Sequence, residues 1–457
     1  MRRLFLKHAL LPDGWAHDVS LTIDGRGRIA AIGTGDAAAA AGADLVLTGH
    51  AVPGMPDLHG HAHQRAIAGF GERAGRDGGD SFWSWRSAMY AALDRMTPDD
   101  FQAVASQLYV EMLKAGFTAI GEFHYLHHDI DGRPYADPAE MSLRAIAAAR
   151  ETGIALAMLP VLYAAGGFAG KPPGHGQRRF ILDSDRFLAL VSRLDALASG
   201  DDDLVVGIAP HSLRAVPADL LARVLATRPQ GPVHIHIAEQ PQEVADCLAA
   251  TGRRPVDVLF DQAGVDERWC LVHATHITDA ERGRIVASGA VAGLCPTTEA
   301  NLGDGLFPAE AFMAEGGRIG IGSDSHISVS PVEELRLLEY GQRLISGRRT
   351  VLAGGPGRAT GQHLHTAAAR GGAQALGLDA GAIAIGLRAD IVVLDADDPL
   401  MVARRGDGIL DGWIFAGNRP LVRDVLVGGR QVVANGRHAH EDLIARRFRA
   451  TLERLHA

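Results

Sequence analysis

Four stretches of this chain bring groups able to bind a metal and move protons to the ends of apolar runs. The first is His59-Gly60-His61, entered through Ala51-Val52-Pro53-Gly54-Met55-Pro56-Asp57-Leu58. On an extended strand, residues i and i+2 project from one face. Both imidazoles therefore aim at one spot just past the strand's carboxy-terminal end. The second stretch, Val233-His234-Ile235-His236-Ile237-Ala238-Glu239, repeats the histidine pair and adds a carboxylate. The third ends Leu271-Val272-His273, and the fourth ends Gly320-Ile321-Gly322-Ser323-Asp324. His59, His61, His236 and Asp324 supply three imidazoles and a carboxylate, a first shell that suits Zn2+ and leaves a position open for water. Other divalent metals would fit the same donors. Zinc brings the pKa of such a water near neutral. Glu239, near the metal but not bound to it, can then carry a proton from water to a leaving nitrogen. His273 can polarise the attacked group or orient the water, and Asp324 can both ligate and accept the water's proton. A histidine pair arises easily by chance among 21 histidines. Against chance stands the fact that each further ligand falls at the end of another strand.

The remaining histidines read more plainly. Only one of His234 and His236 is needed, so His234 is expected to hydrogen-bond within the wall of the fold. His276 is expected to cap the helix that follows it. His124, His127 and His128 could ligate a second metal, but a hydrogen-bonding substrate loop is the simpler reading.

These groups need a scaffold that gathers strand ends. Apolar strand-like runs occur at 51–58, 118–123, 154–162, 204–209, 233–238, 270–274, 290–295 and 318–322, which makes eight. Helical patterns separate them at 98–115, 137–152, 184–198, 218–226, 242–263 and 279–288. Strands alternating with helices imply parallel pairing, and eight such units predict an α/β fold, a TIM-like (β/α)8 barrel, over residues 51–385. Barrel enzymes keep their chemistry at the carboxy-terminal strand ends. A doubly wound open sheet is the alternative, but no glycine-rich phosphate fingerprint follows the first strand. Short strands with an Asp24-Gly25 turn fill the first 50 residues, and the same character returns after Gly386. Residues 1–50 and 386–457 are accordingly expected to form one small β domain from both termini. Two connections exceed an ordinary βα turn. Residues 64–96 carry Trp83, Trp85 and Arg86, and residues 163–183 end in Gln177-Arg178-Arg179-Phe180. Long loops of that content cover or line a site, or meet a second subunit.

Composition narrows the class further. The chain has 457 residues and a net charge of −9, which disfavours nucleic acid as a partner. Three widely spaced cysteines give neither a disulfide framework nor a Cys-x-x-Cys site. No run approaches the roughly 20 apolar residues of a membrane span, and Lys7, His8 and Asp13 interrupt the amino-terminal apolar segment too early for a signal peptide. A cytoplasmic protein without membrane partners is expected.

Taken together, His59-Gly60-His61, His236 with Glu239, His273 and Ser323-Asp324 resemble the amidohydrolase superfamily, in particular its mononuclear deaminase branch. That branch lacks a metal-bridging lysine on strand four, and Leu204-Val205-Val206-Gly207-Ile208-Ala209-Pro210-His211 has none; the resemblance thus implies one zinc per chain. Longer motifs are more specific. His61-Ala62-His63-Gln64-Arg65-Ala66, Glu122-Phe123-His124-Tyr125, Gly176-Gln177-Arg178-Arg179-Phe180, His211-Ser212-Leu213-Arg214-Ala215-Val216, His236-Ile237-Ala238-Glu239-Gln240 and Thr298-Glu299-Ala300-Asn301-Leu302-Gly303-Asp304-Gly305 are similar to the N-formimino-L-glutamate deiminases of bacterial histidine degradation. That resemblance implies a small dicarboxylate substrate held by Gln64, Arg86, Tyr125, His211 and Arg214. His63 stands where that family would place a larger apolar ring. A homodimer is expected. A dicarboxylate needs cationic forks, and Arg86 and Arg214 supply them beside the active face. The alternatives are a deaminase of a purine, pyrimidine or related heterocycle, which would need amide and aromatic groups to read ring edges, and a metal-free barrel serving in binding or assembly.

Overall fold

Strands β1 (Arg2–Leu11), β2 (Gly14–Ile23), β3 (Ile29–Gly33) and β4 (Leu45–Pro53) begin the chain as one sheet. The computed structural model describes residues 1–72 and 89–457. The Asp24-Gly25 turn joins β2 to β3 antiparallel, as the sequence predicts. After a single glycine the chain turns from this sheet into the barrel. The predicted strand 51–58 is therefore two elements, because Pro53 ends β4 and Met55 starts β5 (Met55–Gly60). Gly54 is required at that corner: a Cβ there would stand 2.4 Å from the Thr118 side chain.

The barrel continues with β6 (Phe117–His124), β7 (Ala155–Leu162), β8 (Leu204–Val206), β9 (Ala209–Pro210), β10 (Val233–Ile237), β11 (Trp269–His273), β12 (Val291–Leu294) and β13 (Arg318–Ile321). Every pairing among them is parallel. Two arcs, β5-β6-β7-β8 and β10-β11-β12-β13, close on each other through parallel bridges Ile208 to Val233 and Gly60 to Asp324. All eight residues of β6 and of β7 are buried, as strands covered on both faces must be. The predicted fourth strand is broken at Gly207, where a Cβ would lie 2.7 Å from the Pro232 carbonyl oxygen.

The helices start and stop where their caps dictate. Pro98–Ala115 opens on a Thr97/Asp100 capping box and ends at left-handed Gly116. Asp183 caps Ser184–Ala198, and Thr278 with Glu281 boxes Asp279–Ser288. That box replaces the cap expected of His276. The predicted helix 242–263 is two helices, Pro241–Thr251 and Pro255–Gln262. Gly252 in the left-handed region ends the first, and Pro255 supplies the fixed φ that begins the second.

The chain then returns to the terminal sheet as β14 (Ile391–Leu394), β15 (Val422–Val427), β16 (Arg430–Ala434) and β17 (Arg437–His438). β14 pairs antiparallel with β4, so both chain ends share one eight-stranded sheet. Buried Arg388 ties it to the barrel, meeting Asp390 at 3.1 Å and Asp203 at 2.8 Å. The last helix, Glu441–His456, lies against the barrel helix Pro98–Ala115, with Lys114 pairing Glu441 at 2.7 Å. No helix among the described residues is long and apolar enough to cross a membrane.

Candidate metal centre and substrate pocket

Strand alternation and close packing at the barrel mouth converge the histidines. His59, His61 and His236 are buried, with one ring nitrogen of each within 4.8 Å of the others. The glycine between the first two is forced, since a Cβ at Gly60 would sit 2.4 Å from the His326 ring. His61 donates through Nδ1 to the Phe123 carbonyl at 2.9 Å, and His236 Nδ1 donates to the His211 carbonyl at 3.2 Å. A carbonyl only accepts, so both Nδ1 atoms carry hydrogen and both Nε2 lone pairs face inward. Asp324 Oδ1 lies 3.2 Å from His61 Nε2 and 3.5 Å from His59 Nε2. His236 Nε2 lies 3.1 Å from His59 Nε2.

Those donors fit a divalent cation. Burial and the neighbouring imidazoles lower His236 well below its ordinary pKa. Burial pulls His59 down to about 3 against the opposing pull of Asp324. Burial would raise Asp324, but its contacts with the His59 and His61 rings outweigh that and hold it well below the usual carboxylate range. With its hydrogen on Nδ1, neutral His236 turns an Nε2 lone pair to within 3.1 Å of His59 Nε2, a spacing at which two imidazoles can share one cation.

The backbone is bent to serve the site. Ala238, His273, Ala274, Asp324 and His326 all have positive φ, between 43° and 65°. Non-glycine residues in that region cost on the order of 1–3 kcal/mol each and gather where function demands them.

His273 takes a different charge state from the ligands. Burial would lower its pKa, but a hydrogen bond to Glu299 at 3.2 Å and the charges of Glu239 and Asp324 together raise it to about 10. Glu239 is buried and faces the Arg214 guanidinium at 4.0 Å. Beside the metal donors a pocket opens, bordered by Gln64, Tyr125, His211, Arg214, Glu239 and His273. Gln64 donates to the Tyr125 hydroxyl at 2.8 Å, and the His211 ring packs edge-on against Tyr163 at 4.6 Å. Every predicted site residue among the described ones thus borders the pocket or the cation position. Arg86, with Trp83 and Trp85, lies outside the described residues. Both long connections reach the pocket: Met89 and Tyr90 border it from one, Phe180 from the other.

Several predicted alternatives resolve into structural roles. His234 donates to the Ala375 carbonyl at 2.7 Å in the barrel wall. His276 donates to the Asp304 carbonyl at 2.7 Å, so it ties down the loop after β12 instead of capping a helix. His127 and His128 bond the carbonyls of Val161 and Ile181. Arg178 is paired with Asp94 at 2.8 Å near the surface. Arg179 is buried and donates to the carbonyls of Leu93, Met96 and His128, which pins the loop carrying Phe180. Arg179→Met strands those three acceptors, and chemical denaturation should show a loss on the order of 3 kcal/mol.

Three residues of the site carry no obvious signal in the sequence. Glu243, one turn beyond Glu239, is buried; it accepts the Glu239 backbone N–H at 3.0 Å and lies 3.4 Å from Arg214. Glu299 orients His273. Asp57 accepts from the Ser323 hydroxyl and from its backbone N–H at 3.1 Å, fixing the turn that aims Asp324. Burial raises Asp57 to about 7 despite those bonds.

The amidohydrolase family model matches residues 51–432, and a model described as the amino-terminal domain of formimidoylglutamate deiminase HutF matches residues 1–44. The chain is 54% identical to the formimidoylglutamate deiminase of Pseudomonas aeruginosa over 450 residues, covering 98% of each. It is 26% identical to a 5-methylthioadenosine/S-adenosylhomocysteine deaminase of Natronomonas pharaonis, over 84% of this chain and 81% of that one. Among solved structures, an amidohydrolase from Brucella melitensis superposes with a TM-score of 0.94 at 47% identity, covering both chains completely. An atrazine chlorohydrolase from Arthrobacter aurescens, solved with zinc, shares the fold at a TM-score of 0.81 and 21% identity, again over both whole chains.

Proposed function

The chain belongs to the amidohydrolase family, and from that premise we propose that it hydrolyses N-formimino-L-glutamate to N-formyl-L-glutamate and ammonia, a step of histidine degradation. The observation carrying this reading is the Arg214 guanidinium at the rim of the cation position, beside Gln64, Tyr125 and His211, in a chain 54% identical to a formimidoylglutamate deiminase. A guanidinium fork suits a carboxylate, and the amide and hydroxyl beside it can satisfy its remaining lone pairs. The ring of a purine or pyrimidine base offers no such anion.

His59, His61, His236 and Asp324 would hold one zinc ion, which supplies Lewis acidity and ionises water near neutral pH. The protein's own groups do the rest. Arg214, with Arg86, Gln64, Tyr125 and His211, binds the glutamate carboxylates and sets the formimino carbon against the cation position. Asp324 accepts the proton of the attacking water. Glu239 passes a proton to the terminal nitrogen, which leaves as ammonia. His273, held charged by Glu299, hydrogen-bonds the reacting oxygen and stabilises the tetrahedral stage. Buried Glu243 keeps Arg214 in place.

Two experiments test this reading. Chelation is expected to abolish activity, and about one equivalent of zinc per chain should restore it; activity surviving in rigorously metal-free protein would contradict the assignment. Ammonia release from formiminoglutamate, formiminoaspartate, guanine, cytosine and adenosine should be confined to the first, with weaker turnover of the second. Turnover of a heterocycle and none of formiminoglutamate would favour the alternative deaminase.

A further inference from the structure

We propose a second, weaker cation site, formed by His273, Cys295 and Asp324, that takes a thiophilic divalent ion and inhibits the enzyme. His273 ends β11, Cys295 follows directly on β12, and Asp324 stands three residues past the end of β13. All three are buried, and one donor atom of each lies within 4.8 Å of the others. Asp324 joins the two positions: its Oδ1 faces His59 and His61, and its Oδ2 lies 3.8 Å from His273 Nε2. Two ligands of one tetrahedral zinc ion lie about 3.4 Å apart, so a few tenths of an ångström of movement would complete the nitrogen and oxygen contacts.

Glu299 prepares both remaining donors. It accepts from His273 Nδ1 at 3.2 Å, which leaves Nε2 as the atom turned towards Asp324. It also accepts the Cys295 backbone N–H at 2.9 Å, fixing the residue that bears the thiol. The other two thiols lack this setting. Cys270 lies in the barrel wall and Cys247 on the helix Pro241–Thr251.

Binding at this second position displaces the thiol proton to solvent and takes His273 Nε2 as a ligand. That cost, together with sharing Asp324, makes the site weaker than the three-histidine position. Thiolate selects soft and borderline ions over magnesium or calcium. Occupation engages His273 Nε2, the atom that would otherwise meet the reacting oxygen, and turnover stops.

Protein loaded with one equivalent of zinc should be titrated with cadmium, following both the ultraviolet sulfur-to-cadmium charge-transfer band and ammonia release. The band requires no substrate, so it reads this site whether or not the substrate assignment holds. Its expected growth saturates near one further ion per chain, with activity lost in step. Cys295→Ser should lose both the band and the inhibition while keeping its activity with one equivalent of zinc. The double variant Cys247→Ser, Cys270→Ser leaves Cys295 as the one thiol and should keep both, which decides the matter even if Cys295→Ser fails to fold. No band in the unmodified protein, a band surviving Cys295→Ser, or its loss in the double variant would overturn the proposal.

Discussion

Glu239→Gln is expected to lower kcat by about 10²–10⁴-fold, the usual worth of a positioned general acid–base, while the protein keeps its metal. The amide preserves the shape of the side chain and removes only the carboxylate that carries the proton. Glu239 stands at the end of the sharp turn after β10, where Ala238 has a positive φ of 50°. Its backbone is anchored by Glu243, so the substitution should leave the turn intact and KM within a few-fold of the unmodified value. Metal analysis of the purified variant separates two failures. Loss of zinc would make Glu239 a ligand. An unchanged kcat would route the proton through His273 and Asp324 alone.

Arg214→Met should act on the other side of the reaction. Removing a charge-assisted contact to a carboxylate costs about 1.5–3 kcal/mol, so KM for formiminoglutamate should rise roughly 10- to 150-fold with zinc content unchanged. The variant also leaves Glu243 buried without its cation, 3.4 Å from where the guanidinium stood. Arg214→Lys, which restores the charge without the planar fork, should recover only part of the loss. Unchanged KM in both variants would remove the dicarboxylate argument.

Much of this site is written in local patterns. Two-residue alternation puts His59 with His61, but it equally groups His234 with His236, and only the contacts of the folded chain send His236 to the cation position and His234 to the Ala375 carbonyl in the wall. Caps mark the helices: Thr97 with Asp100, and Gly116, bound the helix Pro98–Ala115 to the residue. Local signals fail where partners are distant in the chain. Asp57 reads as one polar residue in an apolar run, and only the fold brings it to Ser323, 266 positions away. Glu243 looks like an ordinary acid in a first helical turn; its contact with Arg214 depends on the turn after β9 folding over the barrel mouth. Arg179, one of two adjacent arginines, is buried by carbonyls from two other segments, while Arg178 stays near the surface. The run 51–58 misleads for a related reason: continuous apolarity marks burial, and burial continues through the corner at Gly54.

In the proposed reaction water adds to the formimino carbon and the terminal C–N bond breaks. A single measurement addresses it: proton NMR of the zinc-loaded protein with N-formimino-L-glutamate, with ammonia assayed in the same tube. N-formyl-L-glutamate and ammonia are expected in equal amounts. Formamide with free glutamate would mean the other C–N bond breaks, and would contradict the proposed reaction.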